Sequence, residues 1–224
     1  MPSIRFIVVE IAIIIVCIIS LRTREKIPAS AMPILILCWV SLTTDLFCYA
    51  LYFKGLPYES VKHLYTIFEF FLEGIFISGV TKNGLLKQII TFVLPVYFAG
   101  WYSIQFLGNV LTEDDTVAQI VSDIVIIIGI VWTLYELTRN LSFEMRSMGK
   151  YSQKELVLRT VYQIWQQAIG KMFIGLLMFN FFGLVIYEFE LLIPQFQYLY
   201  YHSATDILKN ICFILAFLQF NKGK

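Results

Sequence analysis

Ionisable and amide side chains recur inside the apolar stretches of this chain, and their spacing limits the chemistry open to them. Glu10, Asp45, Glu69, Glu73, Asp123, Asn180, His202, Asp206, Lys209 and Asn210 all fall within runs made otherwise of Ile, Leu, Val and aromatic residues. Glu69 and Glu73 are four apart, and Asp206 and Lys209 three apart, so on a helix each pair shares a face. Ionisable groups in a bilayer rarely face lipid; they turn to the bundle interior or to a wet cavity. Several carboxyl groups held at one depth resist simultaneous ionisation, through burial and mutual repulsion, and keep protons that can exchange. Lys209 is their expected counter-charge. The ten residues are thus candidates for ligand or proton binding.

Each has a plainer reading. Asp206–Lys209 would serve as an ion pair that fixes helix register. Glu10 and Asp123 would bond serines or carbonyls between helices, as would Asn180 and Asn210. His202, near a segment end, would face lipid headgroups. One such residue means little; six at similar depth favour a water-accessible site.

Other chemistry finds no motif. There is no HExxH, and His63 and His202 are the only histidines, so a multi-histidine zinc centre is not expected. GxSxG, a Gly-Asp protease motif and a phosphate loop are missing. Two carboxylates alone specify no reaction, and an intramembrane enzyme ranks below binding functions. No catalytic residue, metal or cofactor is expected. Cys17, Cys38, Cys48 and Cys212 lie in apolar segments and read as buried thiols. With net charge +1, the chain offers no basic field for nucleic acid.

The elements that must carry these residues are membrane helices. The 224 residues are 58% apolar and 15% charged, where a soluble domain carries about 25% charge. A span needs about 20 apolar residues. Seven segments qualify, at 4–21, 31–53, 63–81, 86–107, 117–137, 168–189 and 197–219, in one domain over 1–224. The first contains Glu10 and runs into Arg22, Arg24 and Lys26, which reads as a span and not a cleavable leader. Counted this way, 13 of the 17 basic residues fall on one side, and positive-inside orientation predicts the N-terminus outside and the C-terminus inside. Pro95, mid-segment, predicts a kink in the fourth. At 1.5 Å per residue, most of the polar positions lie roughly 9–14 Å below the outer boundary, with Glu73 and Lys209 deeper.

Residues 152–168 form an amphipathic helix on the cytoplasmic side, opened by the capping pattern Ser152-Gln153-Lys154-Glu155. Val157, Val161, Ile164 and Trp165 share its apolar face. That face would lie on the membrane or dock a cytoplasmic protein partner.

The polar positions also repeat. Glu10 aligns with Asp123, Asp45 with Asn180, Glu69 with Asp206 and Glu73 with Asn210, at offsets of 113, 135 and 137. Apolar segments align readily; the recurrence of polar positions in order favours two parallel triplets joined by segment four.

In this 3+1+3 arrangement and in length the chain resembles the SWEET sugar facilitators. The resemblance implies rocking of two triplets around a central site, but segments one and five lack proline and the core is far more acidic. The lysine of the last segment is similar to the retinal lysine of microbial rhodopsins, although Asp206 precedes it by three residues rather than four and segment three lacks that family's Arg and Trp pattern. His63-Leu64-Tyr65-Thr66-Ile67-Phe68-Glu69-Phe70 and His202 with Leu208-Lys209-Asn210 resemble small seven-helix membrane proteins of Bacteroidetes. That resemblance covers two helices and implies no activity.

The sequence thus predicts an all-α integral membrane protein of the cell (inner) membrane with a polar, acidic chamber in its outer half. The expected function is proton-linked transport of a small polar or cationic solute. The alternative is a seven-helix sensor signalling to a separate cytoplasmic partner.

Overall fold

The computed structural model describes residues 4–107, 116–147, 153–192 and 198–222, and every regular element among them is helical. The order is α1 (Ile4–Thr23), α2 (Met32–Phe53), α3 (Glu59–Val80), α4 (Gly84–Gln88), a π-helical stretch (Ile89–Val93), α5 (Leu94–Leu107), α6 (Thr116–Ser147), α7 (Gln153–Gln166), α8 (Ala168–Leu192) and α9 (Tyr198–Asn221). In lipid each backbone N–H and C=O must be satisfied within the protein, and helices do this segment by segment. Five helices among the described residues are long and apolar enough to cross a membrane: Ala29–Phe53, Ser60–Val80, Gly84–Trp101, Ile120–Phe143 and Ala168–Ile186. The first and last predicted segments are helical as well, as α1 and α9.

Side-chain burial is inverted relative to a soluble protein. Ile11, Phe92, Val96 and Ile128 are all at least half exposed, whereas Glu73 is 1% and Lys209 6% exposed. Apolar surface faces outward and polar groups face in, as a membrane solvent requires.

Packing contacts run from α1 to α2, α3, α6, α8 and α9, and back to α1. The fourth segment leans on α3 from outside this ring, through Phe70–Phe98 rings 4.5 Å apart and through the π stretch. Ring neighbours run antiparallel except at two places, α1 beside α9 and α3 beside α6, where the helices run parallel and their ends meet. Lys26, just after α1, donates to the Asn221 carbonyl at the end of α9 (2.8 Å). Thr81 and Lys82, just after α3, donate to Glu136 in the last third of α6 (2.8 and 2.9 Å). Lys171, in the first turn of α8, donates to Gln219 near the end of α9 (2.6 Å). Above these links lies a dry layer of Phe76, Phe173, Phe213 and Phe217, each at most 1% exposed.

Three expectations need correction. The fifth segment does not stop at 137: α6 continues ten residues further, with Thr138 and Ser142 hydroxyls bonded to the Tyr135 and Arg139 carbonyls. Hydropathy marks where the lipid would end, not where the helix ends. The fourth segment carries a π stretch just before Pro95, where the sequence predicts only a kink. Pro95 has no N–H to donate and its ring collides with the carbonyl one turn back, and the stretch placed just before it absorbs that defect. On α7, Ile164 is 4% exposed and Trp165 half-buried beneath the Lys171 ammonium (5.5 Å from the ring centroid). These two face the protein's own α6 and α8, not a free docking surface. The Val157 and Val161 side chains, and Ser152 of the expected cap, lie outside the described residues.

Close helix contact depends on glycine where α8 meets its neighbours. A Cβ at Gly175 would sit 2.8 Å from Cys212 Cβ and 3.3 Å from the Lys209 carbonyl on α9. Gly100 has nothing within 4 Å. Gly175→Ala is expected to destabilise the protein by about 1–3 kcal/mol through overpacking, and Gly100→Ala to leave it unchanged or slightly more stable. Thermal unfolding of both variants in detergent checks the contrast; equal midpoints would mean that α8 and α9 are not held this closely.

Candidate functional site

Each helix of the ring brings at least one of the predicted polar residues to the interior: Glu10 on α1, Asp45 on α2, Glu69 and Glu73 on α3, Asp123 on α6, Asn180 on α8, and Asp206, Lys209 and Asn210 on α9. The helical repeat does this locally, since residues three, four and seven apart share one face. On α1, for example, Val9, Ile13, Val16 and Cys17 are buried while Ile11, Ile14, Ile15 and Ile18 face outward.

Lys209 sits at the meeting point. Its Nζ is 3.3 Å from Glu69 Oε1 and 3.3 Å from Asp206 Oδ1, and it lies 3.4 Å from the centroid of the Phe179 ring. Its side chain is 8% exposed, against 16% for Glu69 and 22% for Asp206. An ammonium this far from water is held by two carboxylates and one aromatic face from three helices. The i,i+3 pair Asp206–Lys209 expected from the spacing is therefore present, and Glu69 joins it across the ring. Tyr65, one turn before Glu69, donates its hydroxyl to the same Oε1 (3.1 Å).

Glu73 lies one turn further in. Its Oε2 accepts from Asn180 Nδ2 (3.2 Å), which also donates to the Leu176 carbonyl (2.9 Å). Its Oε1 is buried with no hydrogen-bond partner, as are Glu10 Oε1 and Asn210 Nδ2. Glu10 and Asp45 share a hydrogen bond between their carboxyl groups. Asp206 lies within electrostatic reach of both, and Asp123 within reach of Glu73. Six carboxyl groups and one ammonium thus form a continuous cluster.

Two cavities flank it. The first is lined by Thr66, Glu69, Glu73, Asp123, Phe179 and Asn180, among others, and encloses about 380 Å³ counted with the open space at its mouth. The second, about 280 Å³ on the same measure, lies among α1, α2, α3 and α9 and is lined by Ser41, Tyr65, Asp206, Lys209 and Asn210, among others. Lys209 is in the wall between them: it lines the second and touches Glu69 and Phe179 of the first.

Of the ten predicted residues, nine are brought into this cluster. His202 lies on α9, with its side chain outside the described residues. Phe179 and the cavity-lining role of Thr66 and Ser122 were missed. An aromatic or hydroxyl residue in a membrane helix carries no signal of its own, though Phe179 adjoins Asn180. Tyr65, four before Glu69, could have been found by the spacing that paired Glu69 with Glu73. Among the described residues no three His, Cys, Asp or Glu side chains converge closely enough to ligate a metal.

Removing the ammonium should cost more than removing either partner, because it leaves two buried carboxylates facing each other. Lys209→Met is expected to destabilise by about 3–5 kcal/mol, and adding Glu69→Gln to it to restore part of the loss. Unfolding of both single variants and the double variant gives the coupling energy; strictly additive effects would show that the pair does not interact. Comparison of the chain with protein-family models, with known proteins and with solved structures gives no match.

Proposed function

We propose that this chain is a multi-pass transporter of a small polar or cationic solute, coupled to protons, in the cell (inner) membrane. The observation that carries this reading is the convergence of six carboxyl groups and one ammonium, from five helices, beside two cavities. A purely structural polar core would be smaller and fully satisfied, since each orphaned buried polar atom costs about 1–3 kcal/mol. Three such atoms persist among the described residues. Carboxyl groups that hold protons, beside space for a solute, are the parts proton coupling needs.

In this reading all seven segments span, with the N-terminus outside and the C-terminus inside. The two triplets are α1–α3 and α6, α8 and α9. Exchanging α1 with α6, α2 with α8 and α3 with α9 maps the observed packing order onto itself. The same exchange relates cavity-lining residues: Glu69 to Asp206, Glu73 to Asn210, and Ile13 to Ile126. Two related halves around a midplane site support rocking as the means of alternating access.

One observation favours a sensor as the second reading. The α7 helix is tied to the polar helix α9 through the Gln219 amide, which donates to the Gln166 carbonyl while its oxygen accepts from Lys171. A shift of α9 at Lys209 would reach α7 along this path, and from there a cytoplasmic partner.

Purified protein in liposomes carrying an internal pH dye separates the two. Solute-dependent proton movement in wild type, reduced to background in Glu69→Gln, is the transporter outcome. Wild-type movement retained in Glu69→Gln would remove that residue from the coupling. Solute-dependent thermal stabilisation without any flux would favour the sensor.

A further inference from the structure

We infer that the cavity beside Glu73 is a binding site for a small primary or secondary organic ammonium ion, and that Lys209 is its tethered internal competitor. This rests on the reading of the chamber as a solute site and narrows it to one chemical class. Three features lead there. Glu73 is 1% exposed, lines the cavity, and keeps Oε1 without a partner. That oxygen is an acceptor awaiting an N–H or O–H donor.

The rest of the lining selects among donors. Acceptors come from Asp123, Ser122 and Thr66 as well as Glu69, and the Phe70 and Phe179 rings form the apolar wall. Carboxylate oxygens and hydroxyls suit the two or three N–H groups of an ammonium, and an aromatic face suits both its charge and its alkyl carbons. A bare metal ion fits less well. No three described acidic, histidine or cysteine side chains converge to ligate one.

The protein already contains one example of the complex. The Lys209 ammonium is bound by Glu69 and the Phe179 ring, both lining residues of this cavity, and by Asp206 from the other side. A free alkylammonium entering beside Glu73 would contact the same carboxylate and the same ring. The two cations would repel across Glu69, and the bound solute would push Lys209 toward Asp206 and the second cavity. That displacement gives the first cavity a way to act on the Glu10, Asp45 and Asp206 carboxyl groups, which lie within electrostatic reach of one another.

The test is thermal stability and calorimetric titration in detergent with n-propylammonium chloride, against sodium chloride and tetramethylammonium chloride at equal ionic strength. Propylammonium should stabilise wild type; sodium should not, and tetramethylammonium, which has no N–H, should bind at least about tenfold more weakly. Glu73→Gln should lose about tenfold or more in propylammonium affinity, and Asp123→Asn serves the same purpose if the first variant does not fold. Lys209→Met, freed of the competitor, should bind propylammonium about tenfold more tightly. No propylammonium binding, equal binding of tetramethylammonium, or unchanged affinity in both acidic variants overturns the site; unchanged affinity in Lys209→Met overturns the competition. Binding without proton-coupled flux would sink the transporter reading and leave this one standing, and coupled flux of other solutes without propylammonium binding would do the reverse.

Discussion

A single ammonium placed among six carboxyl groups sets the conditions that the rest of the bundle must meet. Withdrawing one charge from water costs several kcal/mol even after relaxation, and attraction repays it only with good geometry. Lys209 obtains that geometry from three helices at once: Asp206 on its own, Glu69 on α3 and the Phe179 ring on α8. Such contacts fix the register of α9 against α8 beside it and α3 across the ring. Gly175 lets the α8 backbone come close enough to α9 for Phe179 to reach the ammonium. The ring of helices follows from the same need, because a charge cluster in lipid must be enclosed on every side.

One ammonium cannot balance six carboxyl groups, and the remainder are settled by other means. Asn180 serves one oxygen of Glu73, and the Glu10 and Asp45 carboxyl groups bond to each other. What is left over is informative. Glu73 Oε1, Glu10 Oε1 and Asn210 Nδ2 stay buried without partners. Proteins violate polar satisfaction chiefly at functional sites, where the loss of stability is balanced by something the site must do. Two of these three atoms belong to residues that line the two cavities.

The shared faces of the polar residues were legible in the sequence; their partners were not. Spacing of four put Glu69 and Glu73 on one face, and spacing of three paired Asp206 with Lys209, because helix geometry alone decides both. The bonds from Lys209 to Glu69 and from Asn180 to Glu73 depend on which helices are neighbours, across 140 and 107 residues of chain. An apolar helix says only that it is surrounded, not by what. For the same reason Ile164 read as an open docking residue, when α7 in fact folds back on α6 and α8. The polar extension of α6 to Ser147 was invisible to hydropathy, which reports the solvent rather than the hydrogen-bonding pattern. The π stretch was signalled by Pro95 as a defect, though not as that particular remedy.

The two ends of the chamber are built differently, and this bears on how a rocking bundle would open. Toward the end where α1, α3, α6 and α9 finish, the cluster is closed first by an aromatic layer, with the Phe76 and Phe173 rings 4.6 Å apart across α3 and α8. Beyond it, α1 is joined to α9 and α3 to α6 by polar links: Lys26 to Asn221, and Thr81 with Lys82 to Glu136. Lys26 is exposed and Glu136 half-buried, so each link contributes only about 0.5–1.5 kcal/mol. Separating the triplets here would exchange a few weak hydrogen bonds for contacts with water, at modest cost. The aromatic layer is the larger barrier, since parting it exposes apolar rings that water does not solvate. A solute that displaces Lys209 acts one turn above Phe213, and helix α9 carries that shift directly into the layer. The ammonium that holds the chamber together is thus placed where its movement would loosen the seal beneath it.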